Sequence, residues 1–273
     1  MRKLLLTLFL CLSLINPVWA GVQSDNVDDL VTITNESNFD FTNTTEFSVV
    51  GWVKPNATRS GTNVHYALIT KLNGSSPFEG WEIGLWWNNS NQPNKLVINL
   101  DEISTSSEED GAIGSTDLQN DIWYHFAATK NTGGDPATAM NFYINGLLET
   151  ITETGDGVFG TMTNNLNVGF FGRTSGTFRA YVGGTLSDVA IYNKVLSATE
   201  ISILSSSRVK RMPLQISPSN LLAYWPLDDQ PDGTSGDGDT FRDLSGNGNN
   251  GTGDDGANNT GLTALAEFIL SYP

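Results

Sequence analysis

Gly184-Thr-Leu-Ser-Asp188-Val-Ala-Ile-Tyr-Asn193-Lys-Val-Leu-Ser197-Ala-Thr-Glu200 is the stretch on which the fold of this chain turns. Leu186, Val189 and Ile191 are strand-forming apolar residues, although their alternation is imperfect. Ser197 followed three residues later by Glu200 is a capping box, which predicts a short helix taking in Ile201 and Leu204. Between them the run carries one acid, Asp188, inside an apolar strand. A carboxylate there costs free energy unless it is hydrogen-bonded, paired or bound to a cation.

Outward from this run, the ends of the chain differ in character. Arg2 and Lys3, the apolar stretch Leu4 to Ile15 and the small-residue site ending at Ala20 read as a secretory signal peptide over 1–20, with export expected. The apolar stretch is too short for a membrane-spanning helix, and no insertion is expected. The one cysteine, Cys11, falls inside this leader, so disulfide and thiol chemistry are not expected in the mature chain. Without Arg2 and Lys3 the 14 basic residues become 12 against 30 acidic, a net charge near −18. That charge excludes electrostatic binding to nucleic acid or to anionic membranes. It suits solubility or cation binding.

The 28 glycines and many Asn, Thr and Ser punctuate about ten apolar segments. They include Phe47–Lys54, His65–Lys71, Gly80–Trp87, Lys95–Leu100, Trp123–Thr129 and Met140–Ile144. Asn145-Gly146 is a hairpin signal, because both residues accept positive φ, and Leu147–Thr152 is the expected return strand. The polar stretch around Ile103–Thr116 reads as a loop. Short strands at this spacing predict an all-β, two-sheet antiparallel sandwich or jelly roll with one short helix after the closing strand.

Four segments resemble laminin-G-like domains of the concanavalin A-like lectin superfamily. They are Asn26–Ile33, Phe47–Lys54, Asp121–Lys130 with Tyr143–Gly146, and Leu186–Glu200, in the family's order. The resemblance implies a jelly roll over 21–206, extracellular recognition of a glycan or surface protein, and one structural calcium. A fifth segment is out of place: Leu221-Leu-Ala-Tyr224-Trp225-Pro-Leu-Asp228-Asp229 and Asp243-Leu-Ser-Gly-Asn247 resemble the family's usual beginning. They follow a basic linker at 207–216. The segment 217–273 is expected to complete the sandwich from the far end of the chain, with a truncated second domain or a separate module as alternatives.

No catalytic constellation is apparent. Glu82 stands alone between tryptophans, Glu108-Glu109-Asp110 is consecutive, and no strand carries the spaced carboxylates that glycoside hydrolysis needs. His65 and His125 match no metal spacing, and no Gly-x-Ser-x-Gly elbow exists. A non-enzyme is expected. Trp86, on the opposite face of its strand from Trp81, Ile83, Leu85 and Trp87, together with Asn88 and Asn89, is the candidate glycan contact. Asp188 either accepts hydrogen bonds at the surface or, if the displaced segment returns beside it, meets Asp228, Asp229 or Asp243 around calcium. A structural or adhesive surface protein with no small-ligand site is the alternative reading.

Overall fold

The computed structural model describes residues 20–25, 27–56, 64–75, 78–87, 94–101, 111–133, 135–154, 162–176, 181–206, 212–228, 235–254 and 263–266. Residues 1–19 of the expected leader lie outside these, as do Asn88, Asn89, Glu108, Glu109, Asp110 and Asp229. In chain order the strands are β1 (Ala20–Asp25), β2 (Leu30–Ile33), β3 (Phe47–Pro55), β4 (Val64–Thr70), β5 (Gly80–Trp87) and β6 (Lys95–Asp101). Then come β7 (Gly111–Gly114), β8 (Tyr124–Lys130), β9 (Met140–Ile144), β10 (Leu147–Leu148), β11 (Ile151–Thr154) and β12 (Val168–Phe170). The last are β13 (Gly183–Tyr192), β14 (Leu221–Trp225), β15 (Thr240–Phe241), β16 (Gly251–Asp254) and β17 (Thr263–Ala266). A helical turn, α1 (Pro136–Ala139), precedes β9, and the helix α2 (Ala198–Ser206) follows β13.

The strands form two antiparallel sheets. The first runs β10-β9-β8-β3-β13-β1-β17, with β14 also paired to β13. The second runs β11-β7-β6-β5-β4-β12-β2-β16-β15. Between them lies one apolar core, in which Phe47, Trp81, Phe126, Phe142, Phe170 and Trp225 are fully buried. The two indole N–H groups are satisfied inside it: Trp81 donates to the Phe39 carbonyl at 3.0 Å and Trp225 to the Asn249 carbonyl at 2.7 Å. This is the expected two-sheet sandwich.

The imperfect alternation in β13 has a structural cause. The register of β13 on β3 shifts between Ser187 and Ala190, and Asp188 sits there at φ 49°. The irregularity brings Leu186 and Val189, an odd number of residues apart, into the same inter-sheet core with Ile191. Ala190 and Tyr192 face outward, where Leu196, Ile201 and Leu204 cover them. That cover depends on the capping box at the start of α2. The Glu200 N–H donates to Ser197 Oγ at 3.3 Å, and the Ser197 N–H donates to Glu200 Oε2 at 2.8 Å.

One edge of β13 lies against β3 and the other is divided. Its first half, Gly183–Leu186, takes β1, and its second half, Val189–Tyr192, takes β14. In the second sheet β16 pairs with β2 along four residues. Strands from 221–254 thus enter both sheets, and Trp225 reaches the shared core.

Three elements differ from the sequence expectation. The Asn26–Ile33 segment contributes only β2, because the chain crosses sheets after β1. Leu147–Thr152 is not one return strand: β10 closes the hairpin on β9, with Asn145 at φ 51° and Gly146 at φ 81°, and β11 then joins β7 in the other sheet. The crossing is held by Glu149, whose carboxylate accepts the N–H groups of Ser115 at 3.0 Å and Thr116 at 2.6 Å. Finally, Gly111–Gly114, read as loop, is strand β7 between β6 and β11. At Gly111 an added Cβ would stand 2.0 Å from the Ile98 carbonyl oxygen, so the close approach of the backbones requires glycine.

Candidate functional site

Two regions hold the residues singled out from sequence, the junction of β13 with β14 and the outward face of β5. At the junction Asp188 is 6% exposed, and its carboxylate accepts the Tyr224 hydroxyl at 2.5 Å and the Ser187 hydroxyl at 3.1 Å. Its N–H donates to the Pro226 carbonyl at 3.3 Å. Asp188 is therefore buried, and hydroxyl donors from its own strand (Ser187) and from β14 (Tyr224) offset its desolvation.

Asp243 organises a turn. Its carboxylate accepts the Tyr224 N–H at 2.9 Å, the Ser245 N–H and hydroxyl both at 2.8 Å, and the Asn249 N–H at 3.0 Å. Four donors occupy the roughly four lone-pair positions of a carboxylate. Leu244 meanwhile donates to the Tyr224 carbonyl at 2.8 Å. Tyr224 turns its backbone groups toward Asp243 and Leu244, on the side of β14 opposite β13, whereas Asp188 belongs to β13. The strand β14 separates the two acids, and they do not converge on one ion. Asp228 is half-buried beyond the end of β14. Among the described residues, the one group of three acids whose ligand oxygens all lie within 4.8 Å of one another is Asp25, Asp28 and Asp29, at the end of β1 and before β2. One oxygen of Asp29 accepts the Asp25 N–H at 2.7 Å, and one of Asp25 accepts the Val27 N–H at 2.8 Å.

On β5 the alternation works as expected. Trp81, Ile83 and Leu85 are fully buried in the core, and Trp87 packs against it. Trp86 turns the other way and is half-buried, in register with His65 of β4 and Lys95 of β6. Farther along the same face lies a buried polar row. Arg173 makes a bidentate pair with Glu82, Nε to Oε2 at 2.7 Å and Nη2 to Oε1 at 3.0 Å, and both side chains are 0% exposed. Asn99 Nδ2 lies 3.3 Å from Glu82 Oε1 and 2.9 Å from His65 Nδ1. The lone Glu82 of the sequence reading is thus sealed by an arginine 91 residues away. The only signal for it was the cost of a carboxylate in an apolar strand, which demands a cation from a chain with few of them.

His125 lies in β8, 2% exposed, with its ring edge-on to Trp52 at 5.3 Å. Burial pushes its pKa down to about 3, so it is a neutral packed ring rather than a proton carrier.

Residues 25–202 match the family model of the concanavalin A-like lectin/glucanases superfamily. The chain belongs to that superfamily. The match ends within α2, and the strands of 221–254 lie beyond it. No curated protein matches the chain in sequence. Among solved structures, a Bacteroides ovatus protein to which carbohydrate binding has been assigned is similar with a TM-score of 0.58 at 12% identity. The likeness covers 93% of this chain and 61% of that one. The binding domain of Paraclostridial Mosquitocidal Protein 1 gives a TM-score of 0.49 at 18% identity, over 68% of this chain and 42% of that one. Domain 4 of AbnA, a GH43 extracellular arabinanase from Geobacillus stearothermophilus solved with arabinotriose, gives 0.41 at 18%, over 68% and 72%. At 12% identity the likeness to the Bacteroides ovatus protein shows a shared fold alone. Among the described residues, no helix is long and apolar enough to cross a membrane.

Proposed function

We propose that this is an exported, non-catalytic recognition domain that binds an extracellular carbohydrate or surface ligand through the outward end of β5. The observation that carries this reading is the half-buried Trp86 indole, turned away from the core beside His65 and Lys95. An indole face with polar neighbours suits the C–H face and hydroxyls of a sugar ring. The carbohydrate binding assigned to the B. ovatus protein of the same fold agrees with it. Glu82, the carboxylate of this strand, is held by Arg173 and is not placed to serve as acid or nucleophile.

Calcium enters as a structural ion. Asp25, Asp28 and Asp29 offer only oxygen ligands within reach of one another, a donor set that fits calcium. Bound there, the ion would tie the end of β1 to the start of β2.

A glycan array probed with the wild-type protein and Trp86→Ala, each with calcium or EDTA, tests both parts. Retention lowered tenfold or more by Trp86→Ala, equivalent to about 1.4 kcal/mol, supports the Trp86 face. Retention indifferent to Trp86 sinks that placement, and measurable cleavage overturns the non-catalytic reading. A melting temperature raised by calcium in the wild type but not in Asp28→Asn supports the ion, and an unchanged melt removes it.

The structural or adhesive alternative has one observation in its favour. Leu147 and Leu148, on β10 at the edge of the first sheet, are 73% and 61% exposed. Empty arrays, with self-association abolished by Leu147→Lys, would favour it.

A further inference from the structure

A second, separate cleft opens where the displaced segment meets the body of the sandwich. Asn38, from the 3-10 turn Glu36–Phe39, and Asn193, just after β13, line it from the body of the sandwich. Ser219, Leu222, Ser245 and Asn247 line it as well, and the volume is about 400 Å³. None of its lining residues is ionisable.

Each of the three amides is anchored by one half of its side chain. Asn38 Nδ2 donates to Asn249 Oδ1 at 2.7 Å. Asn193 Oδ1 accepts from Asn220 Nδ2 at 2.9 Å. Asn247 Nδ2 donates to the carbonyls of Leu221 and Leu222, both at 2.9 Å. Their other halves, Asn38 Oδ1, Asn193 Nδ2 and Asn247 Oδ1, make no hydrogen bond to the described residues. The anchors are themselves fixed. Asn249, 0% exposed, donates through Nδ2 to the Leu222 carbonyl at 2.9 Å, and its own N–H is held by Asp243.

We infer that this cleft binds one uncharged sugar residue of a glycan, held by the unengaged amide halves of Asn38, Asn193 and Asn247. The chemistry selects the class. A hydroxyl both gives and takes a hydrogen bond, and the cleft supplies acceptors and a donor in fixed positions. The absence of ionisable groups in the lining gives a charged ligand no counter-charge. Leu222 supplies apolar surface for ring C–H groups, and the volume falls at the small end of the ~300–1,000 Å³ of ligand sites. Because the amides are already anchored, little side-chain freedom is lost on binding. The cleft exists only with the displaced segment in place, so a bound sugar also holds that segment down.

The proposal rests on carbohydrate recognition but not on the Trp86 face, and the test separates them. The ¹⁵N-labelled full chain is titrated with free glucose, galactose, mannose and arabinose, and in parallel with glucuronate and inorganic phosphate. Side-chain amide signals of Asn38, Asn193 and Asn247 are followed, in wild type, Asn38→Ala, Asn193→Ala and Trp86→Ala. The expected result is saturable shifts of these amides with at least one neutral sugar. Affinity should fall tenfold or more in either asparagine variant and stay unchanged in Trp86→Ala. Both asparagines are exposed, so unchanged melting temperatures of the sugar-free variants are expected. If one variant fails to fold, the other decides. Silent amides up to tens of millimolar sugar, an equal response to phosphate, or shifts lost only in Trp86→Ala would overturn the cleft. In the last case the Trp86 face would still stand, and in the first it would stand if the array bound glycan. Responsive amides with an empty array would uphold the cleft and sink the Trp86 reading.

Discussion

Acid should destabilise this protein through His125, by an amount that can be worked out. The ring is sealed between β8 and Trp52, Nδ1 has no partner among the described residues, and burial lowers its pKa from 6.5 to about 3. Below pH 6.5 the unfolded histidine binds a proton that the folded one refuses. Stability therefore falls as the pH drops from about 6.5 toward 3 and levels off beneath that. At 1.36 kcal/mol per unit the full effect is roughly 5 kcal/mol, and at pH 4.5 it is about 3 kcal/mol. His125→Phe keeps an aromatic edge against Trp52 and removes the titration. Urea unfolding of both proteins at pH 7.5 and 4.5 isolates the effect, because the carboxylates titrate alike in each. The stability gap between variant and wild type should shift by about 3 kcal/mol in favour of the variant at pH 4.5. Parallel loss of stability in the two proteins would refute the argument, since it would mean that the folded histidine accepts its proton freely.

Two further outcomes concern the displaced segment. Deleting 217–273 removes β14 from β13 and β16 from β2 and empties the Trp225 position, so no cooperative melt is expected; a native-like near-UV spectrum would overturn this. Tyr224→Phe deprives the buried Asp188 carboxylate of a hydroxyl donor and should cost about 1.5–3 kcal/mol in urea unfolding, much less once Asp188→Asn is also present. A loss below about 0.5 kcal/mol, or one unaffected by Asp188→Asn, would show that the pair is uncoupled.

The elements legible in the sequence are those whose signal is local. Ser197 and Glu200 announce α2, Asn145-Gly146 announces its turn, and the alternation of Trp81, Ile83 and Leu85 assigns the faces of β5. The imperfection in β13 was also legible, but its meaning was not, because a register shift is visible only against the partner strand. What escaped depends on distant chain. Gly111–Gly114 carries no pattern, since β6 and β11 rather than its own side chains make it a strand. Among its described side chains β1 offers the apolar core only Val22. Arg173 and Glu82 give no local hint of one another. The site residues divide in the same way. The outward direction of Trp86 follows from period two alone, whereas the burial of Asp188 under Tyr224 and the engagement of Asp243 by a turn needed the fold. The asparagine cleft is assembled from four separate stretches, so no single window of sequence contains it.

The shared edge of β13 also sets a schedule. Its neighbours are β1, from the start of the described chain, and β14, made only after β13 itself, while β1 pairs in turn with β17 near the end. Contacts between such remote parts form late and slowly. A ribosome delivering this protein releases β13 before its partner β14 exists, and the first sheet stays incomplete until β17 at 263–266 has been made.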